Sequence, residues 1–387
     1  MKILFAHNYY QLKGGEDSVL ANEMRLLKEN GHKTITYFRH NQEIEQYSTL
    51  KKVGLLFNTT YSAESYQEVT ALLKKERPDI CHVHNFLPLI TPSVYDACRD
   101  NNVPIVQTLH NFRLICTNGL FLRNGKICED CLGKSAYGSV LKKCYRDSSL
   151  QTFAVARMIE QHKAKNTWNT KVSKYICLNQ FSKGKFIEAG LPEEKLMVKP
   201  NFVERPTFKE SHNKAPYFVF VGRVDSTKGI ELLNRVAVSS PIPIKVIGEG
   251  DLVPLIANNP KIEYLGKRPN EETQYYIQQA EGLLFPSILY EGMPMTILEA
   301  FANKTLVIAS NLGAMKAMIE HKKNGLLFEP NNDKELSQLL NFAHPKTNET
   351  EHIVEAAYHD FLQLYSKEAN YKQLMAIYNE ALEEDTL

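Results

Sequence analysis

Short runs of apolar and β-branched residues alternate along the chain with stretches whose apolar positions recur every three or four residues. The runs read as buried strands, at 2–7, 33–38, 79–84, 103–109 and 174–179 in the first half. In the second half they fall at 217–222, 242–248, 261–266, 282–286 and 305–310. The periodic stretches read as amphipathic helices, such as 17–30, stopped by Gly31, and 63–77, stopped before Pro78. Strand-helix alternation predicts parallel sheets covered on both faces. It occurs twice, and the stretch between, 199–216, is rich in Pro, Asn and charge, as a linker is. The expected fold is therefore α/β, with Rossmann-like domains at 1–200 and 201–365 and a last helical segment at 366–387. Two such domains facing each other would leave a cleft lined by the C-terminal ends of their strands. Residues 351–365 and 366–384 read as two helices with a kink near Ser366.

Composition narrows this little. The 387 residues are 43% hydrophobic and 23% charged, with a net charge of +2, as in a soluble globular chain. There is no run of about twenty apolar residues to span a membrane. The opening residues lack the apolar core and cleavage site of a signal peptide, so a cytoplasmic protein is expected. Its seven cysteines would then be reduced, and a cluster among them would favour metal over disulfides.

The candidate chemistry lies at strand ends. Residues 285–304 hold two glutamates, Glu291 and Glu299, with seven residues between them. Pro286, Ser287 and Gly292 are turn residues, Pro294 suits a first helical turn, and Met295, Leu298 and Ala302 keep helical spacing to about Asn303. Glu291 thus precedes a helix start whose free N–H groups attract anions, and Glu299 lies about a turn inside. A carboxylate beside an anion site suits hydroxyls attached to a phosphate better than the phosphate itself. In residues 221–233, Gly222 ends a strand, Arg223 follows and Lys228 precedes a helix. A planar fork plus a point charge is what a diphosphate needs. Gly14 and Gly15 follow the first strand, but not at the spacing of a dinucleotide fingerprint. His110 ends the strand 103–109 and is read as functional; His84 is read as a capped loop histidine. Residues 246–252 form another Gly-rich turn, and with 263–268 could wall a base pocket through Gly248 and the backbone of Tyr264 and Leu265.

These stretches, in this order and spacing, resemble family-4 retaining glycosyltransferases of the GT-B fold, and in flavour the bacterial enzymes of capsule, exopolysaccharide and O-antigen synthesis. The likeness covers nearly the whole chain. It implies that Arg223 and Lys228 clamp the diphosphate of a UDP- or GDP-sugar. It gives Glu291 the sugar hydroxyls, helped by the N–H groups of Gly292 and Met293, with Met295 and Gly222 also on the donor side. Glu299 would take the ribose, Gly15 the diphosphate through its N–H, and His110 the sugar. The implied activity is transfer of a hexose-type sugar, with retention and without a metal at the donor site, to a glycan or lipid-linked acceptor. The last helix would cross back to the N-terminal domain. Alternatives are a non-catalytic nucleotide-sugar-binding relative, an epimerase on the same fold, or a glycosidase using Glu291 and Glu299. The glycosidase leaves the cations without a role.

Two features depart from the common pattern. Cys116, Cys128, Cys131 and Cys144 lie in an insert at 116–149, around an Asn124-Gly125 pair that suits a type I′ hairpin. A hairpin leading into Cys-x-x-Cys suits a structural zinc, with buried free thiols as the alternative. Residues 134–174 carry nine Lys or Arg against two acids, interleaved with Tyr137, Phe153, Met158, Ile159 and Trp168. Such a stretch is either a face for anionic lipid or a solvated helix surface with Trp168 in the core. No nucleic-acid motif accompanies the charge.

Overall fold

A computed structural model of the chain describes residues 1–11, 14–204 and 214–384. It divides into two compact units. The first comprises Met1–Phe121, Cys128–Lys199 and Tyr371–Leu387, the second Leu122–Ile127 and Pro200–Asn370. Half of the interdomain segment expected at 199–216, residues 205–213, lies outside the described residues, and a strand has begun by Ala215.

The first unit holds a six-stranded parallel sheet. Its strands are β1 (Lys2–Tyr9), β2 (Lys33–His40), β3 (Ile80–Asn85), β4 (Ile105–Leu109), β5 (Lys174–Cys177) and β6 (Leu196–Val198), in the order β2-β1-β3-β4-β5-β6. β1 and β3 are buried on successive residues, because helices cover both faces, and hence read as continuous apolar runs. The last helix, Lys367–Glu384, joins this unit's core: Leu374, Ile377, Tyr378 and Ala381 pack with Ile3, Phe5, Leu20 and Ile80. Burial of each large apolar side chain contributes roughly 1.5–3 kcal/mol.

The second unit has its own six-stranded parallel sheet: β7 (Ala215–Val221), β8 (Ile244–Ile247), β9 (Ile262–Gly266), β10 (Ala280–Phe285), β11 (Leu306–Ser310) and β12 (Leu326–Phe328), ordered β9-β8-β7-β10-β11-β12. Chain order reverses beside β7, between β8 and β10. In open α/β sheets such a switch point opens a crevice beyond the strand C-termini.

Some boundaries move for local reasons. The strand expected to run to Asn179 stops at Cys177, because Asn179 turns outward to cap the helix Gln180–Glu188, its Oδ1 accepting the Ser182 N–H at 2.8 Å. The three-residue edge strands β6 and β12 are too short to show a period. Asn124 and Gly125 both have positive φ, 51° and 71°, and close the short hairpin Leu122–Arg123/Lys126–Ile127 as the Asn-Gly pair predicts. Among the described residues no helix is long and apolar enough to cross a membrane.

Candidate functional site

The loops after β7 and β10, on either side of the second unit's switch point, carry the charged groups singled out in the sequence. Lys228 ends a short helical turn, Ser226–Lys228, and its Nζ lies 2.6 Å from Glu291 Oε1. The Ser287 hydroxyl donates to the same oxygen, also at 2.6 Å. Asp225 holds the turn: its Oδ1 accepts the Lys228 N–H at 3.2 Å and the Thr227 hydroxyl at 2.5 Å. Its Oδ2 is 3.2 Å from Arg223, whose side chain remains 66% exposed. An exposed guanidinium thus stands beside a mostly covered ammonium-carboxylate pair.

Glycines let these loops stack backbone on backbone. Gly229 has φ +75°, and a Cβ there would lie 2.1 Å from the Pro286 carbonyl oxygen. A Cβ on Gly248 would lie 1.8 Å from the oxygen of Gly222, and one on Gly250 2.2 Å from that of Val224. The Gly-rich turn after β8 is therefore required by loop-on-loop packing within the protein. Tyr264, on β9, reaches across to it, donating its hydroxyl to the Gly248 carbonyl at 3.0 Å, while Leu265 packs on the core.

The helix Met295–Ala302 starts directly after Pro294. Met293 and Met295 turn their side chains towards the core, and Met295 Sδ accepts from Asn201 at 3.5 Å. What this helix start can offer a ligand is thus its backbone N–H groups. Glu299 lies in the second turn. Surface area leaves it partly open, yet burial pushes its carboxyl up to about 7, against a hydrogen bond from Gln274.

In the first unit the switch point lies beside β1. Gly14 and Gly15 follow β1, and among the described residues nothing beyond the adjoining backbone lies within 4 Å of a Cβ built on either, so a ligand has room to approach. Asp17 fixes the turn, its Oδ2 accepting the Gly14 N–H at 2.8 Å and its Oδ1 lying 2.9 Å from His7 Nε2. Burial lowers His7 to about 4; burial, then Asp17, raises Glu16 to about 8. His110 follows β4, with its Nε2 2.9 Å from Nδ1 of His84 and the two rings stacked. His84, expected on a loop, is instead a buried residue of β3. The run "HVH" lies within a strand covered on both faces, so its histidines point into the interior.

A model of glycosyl transferases group 1 matches residues 204–360, and a model of glycosyltransferase family 4 matches residues 13–205. The chain belongs to the family-4 glycosyltransferases. It is 22% identical over 338 residues to an uncharacterized glycosyltransferase of Methanocaldococcus jannaschii, covering 84% of this chain and 80% of that one. It is 26% identical over 290 residues to the Escherichia coli UDP-Gal:alpha-D-GlcNAc-diphosphoundecaprenol alpha-1,3-galactosyltransferase, covering 67% and 65%. Its fold matches that of Anabaena HepE, solved with UDP, at a TM-score of 0.69 and 17% identity over 98% of this chain and all of that one. The two-domain GT-B architecture follows.

The glycosyltransferase's cysteine insert is only partly drawn together. None of the seven cysteines is in a disulfide. Burial, with Cys116, Cys144 and Cys128 nearby, pushes the Cys131 thiol up to about 11. Among the described residues, the side chains that bring three metal-ligand atoms within 4.8 Å of one another are Glu23, His82 and His84, and His7, Glu16 and Asp17; the cysteines are more widely spread.

The basic stretch is less free than its count of charges. Lys142 pairs with Asp130, Lys171 with Asp96, and Lys174 with Glu380 and Glu384. Met158, Ile159 and Trp168 are buried. Tyr137 and Phe153 remain exposed and stack on each other at 6.0 Å. Leu141 is 91% exposed, and Leu50, Val53, Phe57 and Leu150 are also open. Beside Val53 and Leu150 a groove of about 430 Å³ runs between the helices Thr49–Asn58 and Ser149–Ala164, lined also by Leu56 and Val155.

Sequence reading missed Asp225, Ser287, Glu23 and Lys199. Asp225 stands three residues before Lys228, a capping spacing that was there to read. Glu23 falls on the apolar stripe with Val19, Leu20, Leu26 and Leu27, where a carboxylate needs a buried partner.

Proposed function

We propose that this glycosyltransferase moves a hexose-type sugar, with retention of configuration, from a UDP- or GDP-linked donor to a glycan or lipid-linked acceptor in surface-polysaccharide synthesis. The observation that carries the reading is the pairing of Lys228 with Glu291 at a switch point, beside the exposed Arg223. A nucleoside diphosphate is already a good leaving group, so the reaction chiefly needs charge stabilised on the departing diphosphate. Lys228 and Arg223 supply fixed positive charge, with N–H groups at the start of the helix Met295–Ala302, and this chemistry requires no metal at the donor. Glu291, held by Lys228 and Ser287, accepts hydrogen bonds from sugar hydroxyls. Glu299 accepts those of the ribose. In the first unit, Gly15 offers its N–H to the diphosphate and His110 meets the sugar.

Two finer readings accompany this one. Cys116, Cys128, Cys131 and Cys144 hold a structural zinc, which would draw the four sulfurs together and bind them deprotonated. The apolar surface around Leu141, Leu150 and Phe57, with Lys143, Arg146 and Arg157 nearby in sequence or space, rests on an anionic membrane, where a lipid-linked acceptor resides. The enzyme would then work peripherally at the inner face of the plasma membrane.

The test of the main reading is donor breakdown. Incubated with UDP-glucose, UDP-galactose and GDP-mannose, the protein should release UDP or GDP from at least one, and the released or transferred sugar should keep its anomeric configuration by NMR. Release of neither nucleotide, or an inverted product, would refute it.

A further inference from the structure

Four polar side chains form one file through the first unit. Lys199 is fully buried, with Nζ 2.6 Å from Glu23 Oε1. Glu23, also fully buried, lies on the helix Gly15–Glu29, and its Oε2 is 3.3 Å from His84 Nε2. That contact is oblique for a hydrogen bond, but among the described residues neither atom has another partner, and each faces the other in the buried interior. His84 Nδ1 is in turn 2.9 Å from His110 Nε2. His110, partly open at its surface, ends the file at the C-terminal edge of the sheet.

With His84 and His110 both neutral, the file has one consistent arrangement of protons. Burial would raise the Glu23 carboxyl, but Lys199, then His84, outweigh burial and hold it well below the ordinary range. Glu23 is thus a carboxylate, which only accepts. The neighbouring ring must donate, so His84 carries its proton on Nε2. With one proton per ring, His84 Nδ1 accepts, His110 donates from Nε2, and Nδ1 of His110 keeps a bare lone pair. That nitrogen is not among the buried unsatisfied atoms. Stability alone does not call for such a file, because an apolar replacement of a buried ion pair is often as stable.

We propose that Lys199, Glu23 and His84 are positioning residues that fix His110 in its Nε2–H tautomer, so that its bare Nδ1 accepts a hydrogen bond from a hydroxyl of the donor sugar. The role at the sugar rests on the donor reading above; the tautomer does not. A metal in the Glu23, His82 and His84 cluster is disfavoured by chemistry. Both His82 nitrogens are engaged, at 2.7 Å from Tyr378 and 2.8 Å from Thr108, and the Lys199 ammonium would repel a cation.

Nitrogen-15 NMR of the histidine-labelled protein reads the tautomer directly, with His110 assigned by its loss in His110→Asn. Wild type should show the Nε2–H form. In Glu23→Gln the amide oxygen would accept from Lys199 and the amide N–H₂ would face His84, reversing the file and moving the His110 proton to Nδ1. A cationic or Nδ1–H His110 in wild type, or an unchanged tautomer in Glu23→Gln, overturns the proposal. If Glu23→Gln does not fold, Glu23→Gln with Lys199→Met removes the orphaned ammonium. There the unique Nε2–H form should give way to a mixture, and its persistence would again overturn the proposal. For whichever of UDP-glucose, UDP-galactose or GDP-mannose the wild type hydrolyses, Glu23→Gln should lower kcat by roughly 100-fold with KM nearly unchanged. A loss carried by KM would contradict a positioning role. Wild type inert towards all three donors would count against the donor reading alone, because the NMR result stands without it.

Discussion

Replacing Glu291 with Gln should tighten UDP and GDP binding while abolishing most sugar transfer. In the unliganded protein Lys228 is held by Glu291 at 2.6 Å, and both side chains are mostly covered, at 16% and 14% exposure. Two unit charges at that distance attract by roughly 1.5–6 kcal/mol as the effective dielectric falls from about 80 to 20. A diphosphate reaching for Lys228 must share the ammonium with this carboxylate, and the carboxylate's own charge opposes it. Lysine has three donors, so it keeps part of the pair on binding. A recoverable share of about 1–2 kcal/mol corresponds to roughly 5- to 30-fold tighter binding. Gln keeps an oxygen for Ser287, so the loop should survive. Transfer should nonetheless fall about 100-fold or more, because the neutral amide holds developing positive charge and sugar hydroxyls poorly. Isothermal titration with UDP and GDP, at low and moderate salt, gives the affinities, and donor breakdown gives turnover. Lys228→Met should move affinity the other way by a similar factor. Weaker UDP and GDP binding by Glu291→Gln would refute the argument, because it would mean that the pair does not compete with the diphosphate.

Glu299 has its carboxyl raised to about 7, so the folded state favours its protonated form and stability from this group falls as pH rises from the ordinary glutamate range towards 7. Ribose hydroxyls donate to the ionised form, so nucleotide affinity should strengthen through neutral pH in wild type and lose that dependence in Glu299→Gln, as titration at several pH values would show. Gly229→Ala forces a Cβ against the Pro286 carbonyl at positive φ, and should cost about 3 kcal/mol, read as a lower Tm; an unchanged Tm would mean that the loops do not stack as described. Purified protein should carry close to one zinc per chain by elemental analysis and lose it in Cys128→Ser with Cys131→Ser; metal-free wild type would remove the zinc. Sedimentation with vesicles should require anionic lipid and weaken in Leu150→Ser with Phe153→Ser; binding indifferent to lipid charge would exclude the membrane reading.

The stretches that carry the site were legible because each occupies a strand end, and strand ends are where parallel sheets expose backbone groups. The Arg223–Lys228 spacing and the Glu291–Glu299 spacing are local, within one loop or one loop and its helix, so their character survives in the linear chain. His84 was misread for the opposite reason. Its partners, Glu23 and His110, are distant in sequence and meet it only once β1, β3 and β4 are laid side by side. Part of the positive charge at 134–174 is neutralised by partners that lie outside the stretch, Asp96, Asp130, Glu380 and Glu384, which the stretch alone does not reveal.

Periodicity, turn residues and the order of the motifs determined by themselves the α/β class, the twofold repetition of strand and helix, and the family. All of these depend on interactions between residues near each other in the chain. Tertiary structure alone decided strand order, the pairing of Lys228 with Glu291, the glycine-mediated stacking of three loops, and the file from Lys199 to His110. Each needs atoms from separate elements within a few ångströms, and no local preference encodes that distance.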